Sequence, residues 1–363
     1  MWEKNAQTGE NSVMKRILRF VNKFLPRPKG IIFEVTPRCN LDCLFCYNVW
    51  KSNADYPAGE LDTSAAIRVL QKAVTQSSCD LVTLSGGEPF MRGDIPEICA
   101  FVNQLGPSVN IITNGTLLDR EIIKECLGAG VKIFEFPLLS ADREIHNALA
   151  RRNAFDKVVE SIAQVRSLGG RVATSFIATK NNLHTIRETL ELNAALQVDG
   201  ILLNRFNPGG EGIKHAEELL PDLNEFTEAL AAADDAAKRF DLNISCSIPI
   251  QPCLVDRKKY RNLFFGDCPL GTGDMYFTID PVGNLRPCNH SSTILGSLCE
   301  ESFDELTDPE RLKHLTRAKP RVCEGCKQYR KCRSGCKAAA EVCYGSATEP
   351  EPFLKKSLHL VGR

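Results

Sequence analysis

Six short β-rich runs alternate with amphipathic helical stretches through the middle of this 363-residue chain, and that rhythm leaves it few folds to choose from. The runs are IIFEVT (31–36), DLVTLS (80–85), VNIITN (109–114), VKIFEFPLL (131–139), RVATSFIAT (171–179) and GILLNRF (200–206). Helical periodicity occupies 63–75, 94–105, 119–128, 155–168 and 182–195 between them, and 221–240 after the last. Asp62-Thr63 and Asp119 stand where N-caps belong; Gly130 and Gly169-Gly170 stand where a helix ends in a left-handed residue. Near-continuous apolar strands alternating with helices imply a parallel sheet covered by helices. Six units fall short of the eight that close a full barrel, so the expected fold is α/β, a partial (β/α)6 TIM-like barrel over 29–240. In such a sheet chemistry gathers at the C-terminal ends of the strands.

Beyond residue 240 the rhythm stops. A hairpin is expected over 274–288 (DMYFTID, the turn PVGN, then LRPC), followed by a Cys-rich block, so 241–345 reads as a second, smaller domain. Its apolar content is thin, and metal clusters are expected to substitute for a core there. In the extension 1–28, Ile17, Leu18, Val21, Phe24 and Leu25 fall on one helical face. The basic, amphipathic VMKRILRFVNKFL permits a seat on a membrane surface, but packing against the barrel is the expectation. The tail, 346–363, is polar and Pro/Glu-rich and is expected to be loosely held.

Lys plus Arg and Asp plus Glu both number 45, a balance that supplies no basic footprint for nucleic acid. No apolar run reaches the roughly 18 residues of a membrane span, and the N-terminus lacks the apolar core of a secretory signal. A cytoplasmic location is therefore expected. Sixteen cysteines in an unexported chain point to metal-binding thiolates rather than disulfides.

Three of these cysteines, Cys39, Cys43 and Cys46 in CNLDCLFC, follow the first strand directly. Three thiolates hold three corners of a cubane and leave the fourth iron open to a substrate, by the logic of an open catalytic zinc. A zinc knuckle is the alternative, but His146 is the nearest downstream histidine. C-x3-C-x-aromatic-C, carried here by Cys39, Cys43, Phe45 and Cys46 after strand one of six, resembles the radical S-adenosylmethionine (SAM) superfamily. That resemblance implies a [4Fe-4S] cluster with an open iron site, and SAM bound to it. SGGEPF (85–90) resembles the family's glycine-rich loop, which contacts the methionyl amino group, and implies that role for Gly86, Gly87 and Glu88. Asn114 and Ser140, ending strands three and four, correspond to the polar residues the family turns toward the SAM ribose and carboxylate. Turn and cap formation is the alternative for both. Arg151 is the candidate for the carboxylate-binding Arg, in a stretch (SADREIHNALARRN) that departs from the usual pattern. His146 reads as structural.

Near the C-terminus, Cys268-x14-Gly283-x4-Cys288, then C-x2-C-x5-C-x3-C at Cys323, Cys326, Cys332 and Cys336, then Cys343, resemble the SPASM domain. The resemblance implies two auxiliary iron–sulfur clusters. Cys268, Cys288 and Cys336 would take the first, and Cys323, Cys326, Cys332 and Cys343 the second. Cys253, with Cys246 in reserve, is the expected fourth ligand of the first. A zinc ribbon at Cys323/326/332/336 is the alternative. Cys79, Cys99, Cys126 and Cys299 read as small apolar residues.

The implied activity is that of a maturase that uses a 5′-deoxyadenosyl radical to modify a ribosomally made peptide or a protein side chain. The electron would come from a donor such as flavodoxin or ferredoxin. Many peptide maturases carry an N-terminal leader-binding domain, whereas only 38 residues precede Cys39, so leader recognition is expected from a separate protein or not at all. Sulfatase activation is disfavoured, because Asn289 follows Cys288 where that subgroup has a basic Asp. The alternatives are tetrapyrrole side-chain oxidation and, in another class, a SAM-inactive electron carrier or scaffold.

Overall fold

The computed structural model describes residues 27–51 and 53–358. The helical face read over Ile17–Leu25 lies outside them. The strands follow the sequence rhythm: β1 (Gly30–Glu34), β2 (Leu81–Ser85), β3 (Ser108–Ile112), β4 (Val131–Pro137), β5 (Arg171–Ala178) and β6 (Gly200–Arg205) pair in that order, all parallel. Each is backed by helix. In Thr63–Ser77, for example, Ala66, Val69, Leu70, Ala73 and Val74 are buried at helical spacing, Asp62 caps the start and left-handed Ser78 ends it. One helix, Arg143–Ala150, has no counterpart in the periodicity reading.

The sheet does not stop at residue 240. Two three-residue strands, β7 (Ile244–Cys246) and β8 (Leu263–Phe265), extend it in parallel beyond β6. At its other edge β9 (Tyr276–Ile279) lies parallel to β1, and β10 (Asn284–Arg286) and β11 (Gly296–Ser297) follow antiparallel. Among the described residues this makes one sheet of 11 strands. The hairpin turn uses Gly283 at φ 92°, a left-handed conformation that suits glycine. Asp280 accepts from Asn284 N (2.8 Å) and from the Tyr56 hydroxyl (2.8 Å).

Hydrophobic burial likewise crosses the expected boundary. Phe277, Ile279, Leu285, Phe303, Leu312 and Leu315 are buried in the same cluster as Ile31 and Phe33, so this segment has a core, shared with the barrel. The tail also departs from expectation. Phe353 is fully buried and meets Phe226 edge-on, with ring centroids 5.6 Å apart. Glu351, equally inaccessible, pairs with Arg205 of β6 at 2.8 Å and accepts from Gln251. Composition concealed this because two apolar anchors, Phe353 and the equally buried Leu354, and one paired carboxylate are enough to dock so short a segment.

Removing one partner of a buried ion pair strands the other charge. Arg205→Met is therefore expected to lower unfolding free energy by about 3–5 kcal/mol in urea titration. Arg205→Met/Glu351→Met should recover most of that loss; a double variant no better than the single one would contradict the pairing.

Candidate active site

The three-cysteine loop leaves β1 at the C-terminal edge of the sheet. Cys43 O accepts from Cys46 N at 3.2 Å, and Leu41 N donates to Cys39 Sγ at 3.4 Å, so the loop turns back on itself. It is clamped from outside by Asp42, which pairs with Lys51 (2.9 Å) and Arg151 (3.3 Å). Burial, and then the neighbouring Cys46 and Cys39, push the Cys43 thiol up. Thiols that resist ionisation alone are deprotonated when a metal coordinates them, so three on one loop are a donor set suited to a cluster that takes each on a separate iron.

The loop after β2 packs directly on the strand leading to Cys39. Gly87 N donates to Thr36 O and Glu88 N to Arg38 O, both at 2.8 Å. A Cβ on Gly87 would lie 2.0 Å from Arg38 O, so the missing side chain admits the chain's own backbone. Glu88 is fully buried and is absent from the cavity wall. Its carboxylate accepts from Asn114 N (2.7 Å), Thr113 Oγ1 (2.7 Å) and Phe90 N (3.1 Å), tying the β2 loop to the end of β3. Three of the carboxylate's acceptor positions are thus turned toward the chain's own donors rather than toward the cavity. Asn114 does line the cavity, and its Nδ2 donates to Asn40 Oδ1 at 2.8 Å, beside Cys39.

A single cavity of about 800 Å3 runs along the inner face of the sheet. Cys39, Cys43 and Cys46 line one part of its wall, and Cys268, Cys288 and Cys336 another. The two groups meet through adjacent residues: Tyr47 stacks on His290 with centroids 4.5 Å apart, and Asn289 Nδ2 donates to the Tyr47 hydroxyl at 3.2 Å. Cys336 Sγ accepts from Asn207 Nδ2 at 3.3 Å. Burial raises the Cys288 thiol to about 12, and Cys336 and Cys268 add to the rise as neighbours. Cys253 is not in this group. It lines a separate small pocket with Cys323, Cys326 and Cys332, and not the cavity that Cys268 lines. Cys343 lines neither cavity. Cys246 is buried in the apolar core. Among the described residues no three His, Cys, Asp or Glu converge as ligands of a single ion; a cubane instead takes its thiolates on separate irons.

Residues 33–192 match the radical SAM superfamily, and residues 268–336 match SPASM, an iron–sulfur cluster-binding domain. The chain is a radical SAM enzyme with a SPASM domain. It is 28% identical to an AdoMet-dependent heme synthase of Methanosarcina barkeri, covering 90% of this chain and 96% of that protein. It is 25% identical to a PqqA peptide cyclase of Xanthomonas euvesicatoria, covering 92% and 89%. Its fold is similar to that of Streptococcus suis SuiB bound to S-adenosylmethionine (TM-score 0.68, 15% identity, 97% of this chain and 80% of that one). A structure of anSMEcpe with bound AdoMet gives a TM-score of 0.70 at 16% identity, covering 92% and 96%.

Within this radical SAM frame two other sequence candidates, Ser140 and Arg151, and the structural His146 line no part of the cavity. Ser140 is fully buried; its hydroxyl donates to Thr185 Oγ1 (2.8 Å) and accepts from Asp142 N (2.9 Å), so it braces the start of the helix Arg143–Ala150. Arg151 ends that helix at φ 54° and reaches Asp42 from the outer side. His146 is buried, accepts from Leu139 N through Nδ1 at 3.3 Å, and burial lowers its pKa to about 4. Sequence reading passed over Glu135, on the inner face of β4, because a lone acid in an apolar strand carries no motif. It lines the cavity, and burial raises its pKa to about 7. Tyr47, Ser175 and Asn204 line the same wall.

His146 generates a pH expectation. A buried neutral imidazole contributes stability that is fully present above the ordinary pKa of 6.5 and is lost as pH falls toward about 4. The stability difference between the wild type and His146→Gln should therefore narrow from pH 7 to pH 4 in urea titration. A difference independent of pH would contradict a buried neutral His146.

Proposed function

We propose that this enzyme is a maturase that oxidatively modifies a side chain of a ribosomally made peptide or protein. The observation that carries the reading is the continuous cavity that joins the Cys39/43/46 loop to Cys268, Cys288 and Cys336. A substrate seated there has a radical source on one side and an electron acceptor on the other. The PqqA peptide cyclase relative, matched over most of both chains, supports a peptide as the substrate class.

Cys39, Cys43 and Cys46 would hold a [4Fe-4S] cluster with one iron free of protein ligands, and the C-terminal cysteines two auxiliary clusters. The chemistry supplied when SAM and the clusters are bound is reductive formation of a 5′-deoxyadenosyl radical, hydrogen abstraction from an unactivated C–H bond, and removal of the electron left behind. The chain's own residues do the rest. The Gly86-Gly87 backbone and Asn114 present polar groups to the cavity beside Cys39, where the methionyl end of SAM would lie. Ile112, Ile133, Ile177 and Leu202 give the wall its apolar, water-excluding character. Oxidation of a carbon radical to a double bond or crosslink also releases a proton, and the Glu135 carboxylate would accept it at Oε. Tyr47, whose phenol burial pushes up, is the titratable neighbour that senses Glu135. Electrons would enter from a flavodoxin or ferredoxin.

A second reading, tetrapyrrole side-chain oxidation, is favoured by the heme synthase relative, which this chain covers over 96% of its length. Mass spectrometry after anaerobic turnover separates the two. A mass change in a candidate peptide supports the first reading, and one in a propionate-bearing tetrapyrrole supports the second.

Anaerobically reconstituted protein given dithionite and SAM is expected to release 5′-deoxyadenosine, and Cys43→Ala to release none. No deoxyadenosine from the wild type would leave only an electron carrier or scaffold. Glu135→Gln should lower product about a hundredfold while deoxyadenosine continues to form. In the wild type, product per deoxyadenosine should rise as pH increases through about 7, where Glu135 becomes able to accept a proton. A pH-independent ratio, or a fully active Glu135→Gln, would contradict this role.

A further inference from the structure

The C-terminal cysteines are divided differently from the order in which they occur. Cys323 ends a short 3-10 turn, and Cys326 N donates back to Cys323 O at 3.2 Å. Cys332 closes the following helical turn, Tyr329–Cys332. These three line a small pocket whose remaining cysteine is Cys253, more than sixty residues upstream. The turn carrying Cys253 is fixed in place. Leu254 N and Val255 N donate to Gln251 O at 2.9 and 3.1 Å. Gln251 Nε2 donates to Ser334 O at 3.3 Å, two residues past Cys332. Arg257 Nε donates to Ile250 O at 2.8 Å, and its Nη1 pairs with Asp267 at 2.8 Å, which holds the turn from its other end.

Cys343 is directed elsewhere. It follows Cys336 by seven residues along the helix Lys337–Tyr344, which puts the two on one helical face about two turns apart. Its thiol donates to Pro208 O at 3.9 Å, next to the Asn207 amide that donates to Cys336. Cys343 thus stands with Cys336, away from Cys323, Cys326 and Cys332.

We propose that Cys253 is the fourth thiolate of the cluster held by Cys323, Cys326 and Cys332, and that Cys343 is not its ligand. The inference rests on the reading that these cysteines hold an iron–sulfur cluster. Four thiolates cap all four irons of a cubane, so this site would be closed to substrate and suited only to storing or passing an electron. Leu354 lines the same pocket and offers a second position from which a sulfur could reach it.

The test uses the full chain with Cys39, Cys43 and Cys46 all changed to Ala, so that the first cluster does not contribute, reconstituted anaerobically with iron and sulfide. Iron and sulfide are counted, and EPR spectra are recorded after mild ferricyanide oxidation. In this background Cys253→Ala is expected to lose iron or to gain a three-iron signal beyond any that the Cys268, Cys288 and Cys336 group gives in the parent, because one more iron has lost its protein ligand. Adding Leu354→Cys should restore the parent iron content and remove the added signal. A Cys253→Ala protein with the parent's iron content and spectrum would overturn the assignment, as would a loss that Leu354→Cys does not recover. A parent that takes up no iron would overturn the cluster reading itself, a result distinct from either of these.

Discussion

The arrangement of the active site depends on a buried charge pair between Arg286 and Glu34. Glu34 ends the strand that leads into the cysteine loop, and Arg286 ends the hairpin strand two residues before Cys288. Both are inaccessible to solvent. The Arg286 guanidinium also donates to Ser291 O at 2.8 Å and lies over the rings of Trp50 and Tyr56, 5.8 and 6.0 Å from their centroids. A guanidinium taken out of water is tolerable only when most of its donors are paired, and here both Nη groups are paired while Nε is left without a hydrogen-bond partner. Once formed, these pairings fix the Cys288 loop over the same cavity that the Cys39 loop borders.

Backbone pairing reinforces the link. β9 joins β1 in parallel register, so the C-terminal hairpin and the first barrel strand belong to one sheet and share one hydrophobic cluster. Any shift of the hairpin would have to break sheet hydrogen bonds, separate Arg286 from Glu34 and expose apolar side chains together. Toward the opposite side of the sheet the tail is held to β6 through Glu351 and Arg205, and the same Glu351 binds Gln251, which positions the Cys253 turn. Few contacts thus tie three cysteine-bearing segments, distant in sequence, to one frame.

The periodic strands, the three-cysteine loop and the hairpin were legible in the sequence because each has a local signature: alternation or apolar runs, close thiol spacing, a glycine turn. What sequence left obscure was direction. Glu88 sits in a loop that borders the cavity, yet three donors from the chain itself turn its carboxylate inward. Ser140 and Arg151 occupy the start and end of a helix, Arg143–Ala150, that periodicity passed over, and they serve that helix and the cysteine loop. β7 and β8 are too short to show a pattern at three residues each. Cys253 was read beside Cys268 from its neighbourhood in sequence, whereas its turn faces the pocket of Cys323, Cys326 and Cys332, a placement visible only in the folded chain. Glu135 had no motif, and its place on the inner face of β4 emerges only from the sheet.

The central claim is that a radical-generating site and an oxidising site face one shared cavity. Iron-edge anomalous diffraction from crystals of the anaerobically loaded protein tests it most directly. The account requires one iron cluster at Cys39, Cys43 and Cys46 with an iron turned toward the shared cavity, and another at Cys268, Cys288 and Cys336 bordering that same cavity. Iron at these two cysteine groups separated by packed protein, or anomalous signal of zinc in place of iron, would contradict it.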